Sequence, residues 1–207
     1  NCSLVILACN TASAKALRTI QQKRLHQYPG KNVLGVIRPT TESIGKISSS
    51  KNIGILATNG TVNSETYPFE IHKFFPDVKV YQQACPLWVP LIENNEFEST
   101  GGRYFVEKYL EELLYQNPAI DTVILGCTHY PILIPQLVSL RPDVHFVNQG
   151  EIVAAKLKEY LDNHPEYEAL CSKKGTVQFL TTDNPEKFNE TGSIFYRNEV
   201  LSSRVRL

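Results

Sequence analysis

The sequence predicts an α/β fold of two similar lobes, with largely parallel sheets flanked by helices and the active site in the cleft between them. Three observations predict it. Apolar runs of strand length alternate with helical patterns from end to end, as parallel sheets with helical crossovers require. One unit occurs twice, Leu4-Val5-Ile6-Leu7-Ala8-Cys9-Asn10-Thr11 and Thr122-Val123-Ile124-Leu125-Gly126-Cys127-Thr128-His129. Each copy runs from an apolar stretch through a small residue to a cysteine and then to helix-capping residues. Ligands of open parallel sheets sit at the carboxyl ends of the strands, where both cysteines fall.

Taken in order, residues 4–8 form the first strand. A helix over 11–27 follows, with Ala14, Leu17, Ile20 and Leu25 on one face, and Tyr28-Pro29-Gly30 stops it. Residues 33–37 are a strand, and Pro39 opens a helix to 47. Ser48-Ser49-Ser50 reads as a linker. Residues 52–57 are a strand, and 62–75 a helical segment that Pro68 should kink or split. A strand over 78–83 runs into the proline-broken stretch 84–93. Gly101-Gly102 precedes an amphipathic helix over 104–115, with Val106, Leu110, Leu113 and Leu114 inward. The echo strand is 121–126, followed by a helix over 131–140, a strand over 144–147, a helix over 151–161, a strand over 176–180 and a helix over 185–195. The polar joints at 48–50 and 148–150 divide the chain into a first lobe, 1–47 plus 148–207, and a second lobe, 48–147. Because the chain opens directly on a strand, the first lobe is expected to be incomplete at its N-terminus.

The 207 residues suffice for a substantial core. Apolar residues make up 42% and charged residues 20%, with 21 basic against 21 acidic side chains and no long basic run. That balance argues against nucleic acid or an anionic membrane surface as the main partner. No apolar segment nears the roughly 20 residues that span a bilayer. Five cysteines in a chain of this size, with no C-x-x-C pair, point to a reducing compartment and a cytoplasmic location.

Asn10 and Thr11 are helix-capping types, so the Cys9 sulfur is placed at a helix start. There, N–H groups and the helix dipole favour a thiolate, and the same groups are able to hold a carboxylate. Cys127 has Thr128 and His129 beside it, and His129 is able to take the thiol's proton or to donate to a substrate carboxylate. Hydrolysis by a cysteine needs one thiol; metal binding needs three or four ligands. Two thiols facing one pocket suit proton removal from one face of a carbon and return to the other.

These residues resemble the glutamate racemases of the aspartate/glutamate racemase superfamily, which need no cofactor. The motifs that carry the resemblance are Ala8-Cys9-Asn10-Thr11-Ala12-Ser13-Ala14 and Leu125-Gly126-Cys127-Thr128-His129-Tyr130-Pro131. Gly35-Val36-Ile37, Ala84-Cys85-Pro86-Leu87 and Phe179-Leu180-Thr181-Thr182 support them. The resemblance implies that Cys9 and Cys127 are the two acid–bases, assisted by His129 and Glu93. It implies that Asn10, Thr11, Thr61, Thr128 and His129 contact glutamate. It also implies a bacterial role in supplying D-glutamate for peptidoglycan, and with it cell shape. Such racemases are often dimers, and a homodimer is an expectation of the resemblance alone. The family's Asp-Ser-Gly and Pro-Tyr-Gly motifs, which precede its first cysteine, do not occur in these residues. Little or no turnover is therefore expected of the 207 residues alone. Asn148-Gln149-Gly150 replaces a turn of the Asp-Ser-Gly type, and no role is assigned to it.

Two other readings stay open. One is a related aspartate or hydantoin racemase, or a malonate decarboxylase, of the same superfamily. The other, of a different class, is a thiol or zinc-binding regulatory protein with Cys127 and His129 as two ligands. Cys85 reads as core, Cys2 and Cys171 have no acid–base company, and the remaining histidines are scattered.

Overall fold

A computed structural model describes residues 2–173 and 175–206. It divides into two compact units, Asn1–Leu170 and Cys171–Leu207. The first unit holds two parallel sheets. Strands β1 (Leu4–Leu7) and β2 (Asn32–Gly35) pair as a two-stranded sheet, Leu4 beside Asn32 and Leu7 beside Gly35. Strands β3 (Asn52–Ala57), β4 (Lys79–Ala84), β5 (Thr122–Gly126) and β6 (His145–Val147) form a four-stranded sheet in the order β4-β3-β5-β6. Mixed α/β architecture with parallel sheets is thus what the chain adopts.

The four-stranded sheet holds most of the core, and its side chains alternate with the period of two that a pleated strand imposes. Ile53, Ile55, Ala57 and Ile124 face one cluster with Tyr67 and Ile71. Leu56, Val123 and Leu125 face the other, with Leu110, Leu113 and Leu137. The register places Ile55 beside Ile124 and Leu56 beside Leu125, so neighbouring strands agree on which face each side chain enters. Fully burying such a side chain stabilises by about 1.5–3 kcal/mol, and every residue of β5 is buried. The β1–β2 sheet is different: Val5 and Ile6 are exposed.

The helices follow the predicted order with shifted ends. The expected first helix is divided into α1 (Asn10–Lys15), α2 (Leu17–Lys23) and a 3-10 turn at Leu25–Gln27. Helix α3 is Ile37–Ile44, so the chain turns helical before Pro39. Pro68 does not divide the next segment. The break falls at Glu65, whose φ of 53° is left-handed, between α4 (Asn59–Val62) and α5 (Thr66–Phe74). Pro68 is the third residue of α5, where its missing N–H has no helical partner to lose. The proline-containing stretch after β4 folds as α6 (Trp88–Glu93). Helix α7 (Thr100–Gln116) starts earlier than predicted because Ser99 caps it, accepting from the Gly102 N–H at 3.0 Å. Gly102 therefore lies inside the helix, where a Cβ would stand 2.1 Å from the Glu96 carbonyl oxygen. A 3-10 turn at Tyr130–Leu133 leads into α8 (Ile134–Leu140), and α9 (Gln149–Asn163) and α10 (Pro165–Glu168) end the unit.

The serines at 48–50 are not a loose joint. Asp121 accepts from the Ser48 hydroxyl at 2.6 Å and from the Ser49 and Ser50 N–H groups, which straps them to the start of β5. The division into lobes at 47/48 and 147/148 is a different partition from the two compact units and stays an expectation. The second unit is a β-α-β element of its own: β7 (Phe179–Thr181), α11 (Pro185–Tyr196) and β8 (Ser202–Arg204), with β7 and β8 parallel. Asn184 caps α11 by accepting from the Lys187 N–H at 3.0 Å. Strand β8 has no counterpart among the predicted elements. Among the described residues no helix is long and apolar enough to cross a membrane.

Candidate active site

Cys9 and Cys127 each stand where a parallel strand hands over to a helical turn. Cys9 follows β1 and is the N-cap of α1, with extended backbone (φ −78°, ψ 128°). Its carbonyl accepts the first helical bond, from the Ser13 N–H at 2.9 Å. The Ser13 hydroxyl donates to the Leu7 carbonyl at 2.8 Å and pins α1 to the end of β1. Cys127 follows β5, and its carbonyl accepts from the Tyr130 N–H at 3.1 Å as the 3-10 turn begins.

A short chain of contacts brings the two together. The Thr11 hydroxyl lies 2.7 Å from that of Thr58 and 3.1 Å from that of Thr61, and Thr58 and Thr61 are 3.2 Å apart. Thr58 directly follows β3, whose last residue, Ala57, pairs with Gly126. Cys127 is the next residue. The α4 turn also sits hard against α1, since a Cβ on Gly60 would be 2.8 Å from Thr11 Cγ2. Cys9 and Cys127 are consequently within electrostatic reach, and a negative Cys9 raises the pKa of Cys127.

The two thiols differ sharply in setting. Cys9 is exposed. Cys127 is 9% exposed and belongs to the apolar cluster around Leu125 and Trp88. Burial is the largest influence on Cys127 and pushes its pKa up to about 11. The N–H groups of His129 and Tyr130 pull the other way, while Cys9 and Glu93 add to the rise.

His129 Nδ1 lies 3.7 Å from Cys127 Sγ, and its Nε2 lies 3.1 Å from Glu93 Oε1. A carboxylate only accepts, so in a neutral imidazole with its proton on Nε2 towards Glu93, Nδ1 is the acceptor facing the thiol. The Glu93 side chain is 47% exposed and that of His129 is 26% exposed, so the pair is partly screened by water.

Asn10 is 3% exposed, and its side chain is turned inward. Its Nδ2 donates to Gln149 Oε1 at 2.9 Å and its Oδ1 accepts from the Tyr67 hydroxyl at 2.7 Å. Both polar atoms of the Asn10 side chain are thus engaged within the protein. Thr61 is buried, with its hydroxyl inside the threonine triangle, and Thr128 is exposed. Cys85 is core, 1% exposed, with burial driving its thiol pKa well up. Among the described residues no three His, Cys, Asp or Glu side chains gather as a metal cradle. A groove of about 830 Å³ lies between α1, α2, α3, α5 and α9, lined in part by Leu17, Arg18, Arg38, Glu70 and Lys73, and it includes neither Cys9 nor Cys127.

Residues 1–156 match the Asp/Glu/Hydantoin racemase family. The chain belongs to that family. A glutamate racemase of Sulfurihydrogenibium sp. (strain YO3AOP1) is 37% identical over 207 residues, covering all of this chain and 74% of the relative. One from Lactiplantibacillus plantarum is 34% identical over 89% of this chain and 66% of its own length. Among solved structures, a glutamate racemase isoform of Bacillus anthracis superposes with a TM-score of 0.85 at 27% identity, over 99% of this chain and 74% of that one. The Francisella tularensis glutamate racemase, solved in complex with D-glutamate, gives 0.82 at 27% identity, over 99% and 73%.

Within this racemase fold, sequence reasoning missed Thr58, Tyr67 and Gln149. Thr58 and Gln149 were discoverable in principle. Each stands just past the carboxyl end of a strand, β3 and β6, as the two cysteines do past β1 and β5. Tyr67 carried no such signal, being one aromatic residue in a helix.

Proposed function

We propose that the protein interconverts L- and D-glutamate without a cofactor, by proton transfer between Cα and two cysteines, Cys9 and Cys127. The reaction is supported above all by one observation: two thiols at the ends of parallel strands, mutually within electrostatic reach, in a chain of the Asp/Glu/Hydantoin racemase family. One cysteine enters each turnover as thiolate and takes the α-proton, and the other, as thiol, gives its proton to the opposite face. The roles reverse for the other enantiomer. The product is D-glutamate for bacterial peptidoglycan.

The α-proton of an amino acid is a weak acid, so the carbanion must be stabilised by the site itself. First-turn N–H groups at Asn10 and Thr11 are suited to the substrate carboxylate, with Thr61 and Thr128 as further contacts. For Cys127 the difficulty is its high pKa. His129 meets it as the neighbouring base, with Glu93 orienting the imidazole, and the His129 and Tyr130 N–H groups stabilise the thiolate as it forms. These two residues position and tune Cys127, which itself touches the reacting atom.

The test follows the circular dichroism of L-glutamate incubated with the protein. Decay to zero ellipticity is expected, with D-glutamate recovered. No decay, or equally fast decay of aspartate or a hydantoin, overturns the substrate assignment.

A further inference from the structure

Gln149 lies 139 residues from Asn10 in the chain and is 8% exposed. It opens α9 just after β6, and its side chain enters the space between α1, α3 and α5. Its Oε1 accepts from Asn10 Nδ2 at 2.9 Å. Its Nε2 donates to the Tyr67 hydroxyl at 2.8 Å, and the Tyr67 hydroxyl donates in turn to Asn10 Oδ1 at 2.7 Å. The three side chains close a ring in which each is both donor and acceptor. The second hydrogen of Nε2 goes to Thr40 Oγ1 at 2.9 Å, with the Val36 carbonyl at 3.5 Å. Tyr67 is fully buried, and burial raises its hydroxyl pKa far above the usual range, so it stays a donor.

This ring touches both halves of the site. Asn10 is the residue after Cys9 and begins α1. Tyr67 packs under the end of β5, where a Cβ built on Gly126 would lie 3.3 Å from Tyr67 Cε2. Gly126 is the residue before Cys127. The residue after Cys9 is thus a member of the hydrogen-bonded ring, and the residue before Cys127 packs against another member. A buried ring of this kind is rigid when complete, and leaves unpaired polar atoms when any member is lost.

Resting on the two-thiol reading above, we infer that Gln149 is a positioning residue: with Tyr67 it locks Asn10 and so sets where Cys9 stands relative to Cys127. It does not touch the reacting atoms. Its effect is on the alignment of two proton transfers, to which rates are steeply sensitive.

The test uses the full-length protein with Gln149→Leu, Tyr67→Phe, the double variant, and Thr40→Val. Gln149→Leu and Tyr67→Phe each break the ring, and Tyr67→Phe keeps the packed aromatic should Gln149→Leu fail to fold. Thr40→Val removes a bond outside the ring. Per folded molecule, kcat is expected to fall about 10- to 100-fold in either ring variant. The double variant should be little worse than one of them, because both act on one unit. Thr40→Val should stay near wild type. A role in stability alone would lower the melting temperature and leave kcat unchanged.

A second readout needs no turnover. A bimane with two alkylating arms, fluorescent once both have reacted, should bridge Cys9 and Cys127, with peptide mapping identifying the pair. Bridging should drop several-fold in the ring variants while single alkylation of Cys9 continues. Unchanged bridging overturns the inference whatever kcat does, and so does unchanged kcat in an active enzyme. A wild-type protein that bridges its thiols but leaves glutamate untouched overturns the functional reading instead.

Discussion

The Cys9 and Cys127 units share a local pattern and differ in nearly everything around it. Both sulfurs follow a parallel strand and precede a helical turn. Strand β5 is buried throughout and sits inside a four-stranded sheet, whereas β1 pairs among the described residues with β2 alone and exposes Val5 and Ile6. Cys127 therefore lies against an apolar cluster that penalises its charge, and it has a histidine and a carboxylate in line beside it. Cys9 is exposed and, among the described residues, has no counterpart of His129; the side chain next to it, Asn10, faces inward. The difference teaches that a duplicated motif does not make two equivalent thiols. In the proposed two-base reaction Cys127 is the thiol to be helped to ionise, and Cys9 the one to be held in place.

The largest test of this contrast removes each thiol separately. Cys9→Ala and Cys127→Ala should each lower kcat by about 100- to 10,000-fold in a circular dichroism assay, the range of a lost acid–base group. Substantial inversion in either variant would break the pairing outright.

The second test reads the burial of Cys127 as stability. Its folded pKa of about 11 lies above that of an ordinary thiol, close to 9. The folded state keeps the proton longer, so this contribution is complete below about pH 9 and is lost as pH rises towards 11. Over that window Cys127 should account for about 2–3 kcal/mol of lost stability. Urea titrations at pH 8 and pH 10.5 check it by difference, since Cys127→Ser removes this component and leaves those of Cys85 and the buried tyrosines. Equal pH slopes in the two proteins would refute it.

Chemical reactivity sharpens the same asymmetry. Iodoacetamide at pH 7.5 should modify Cys9 at least about tenfold faster than Cys127, because the thiolate is the nucleophile and Cys127 is both buried and protonated. Peptide mapping resolves the two from exposed Cys2. The smallest effect is expected at Glu93. Glu93→Gln keeps a group that bonds His129 but loses the charge, and with the pair partly exposed kcat should fall only about 3- to 5-fold. A loss as large as that of Cys127→Ala would show that Glu93 does more than orient the ring.

How much of this was legible beforehand depends on how far apart the relevant residues are. Strand β3 was read to the residue, and the inward face of α7 correctly, because a period of two or 3.6 is written within a few neighbouring positions. The break at Glu65 was misplaced to Pro68 because a proline in a first turn costs nothing there, while a left-handed residue has no reliable sequence sign. Ser48–Ser50 looked like a linker, since Asp121, which straps it down, is some 70 residues away.

From the sequence alone came the alternation of strands and helices, the two strand–cysteine–helix units and the presence of His129 two residues past Cys127, because each of these is set by adjacent residues and backbone geometry. Only tertiary structure decided that one thiol is buried and the other exposed, that Asn10 faces inward, and that Gln149 and Tyr67 close a ring around it. Burial and hydrogen-bond partnership belong to pairs of segments brought together by folding, and no single stretch of chain contains them.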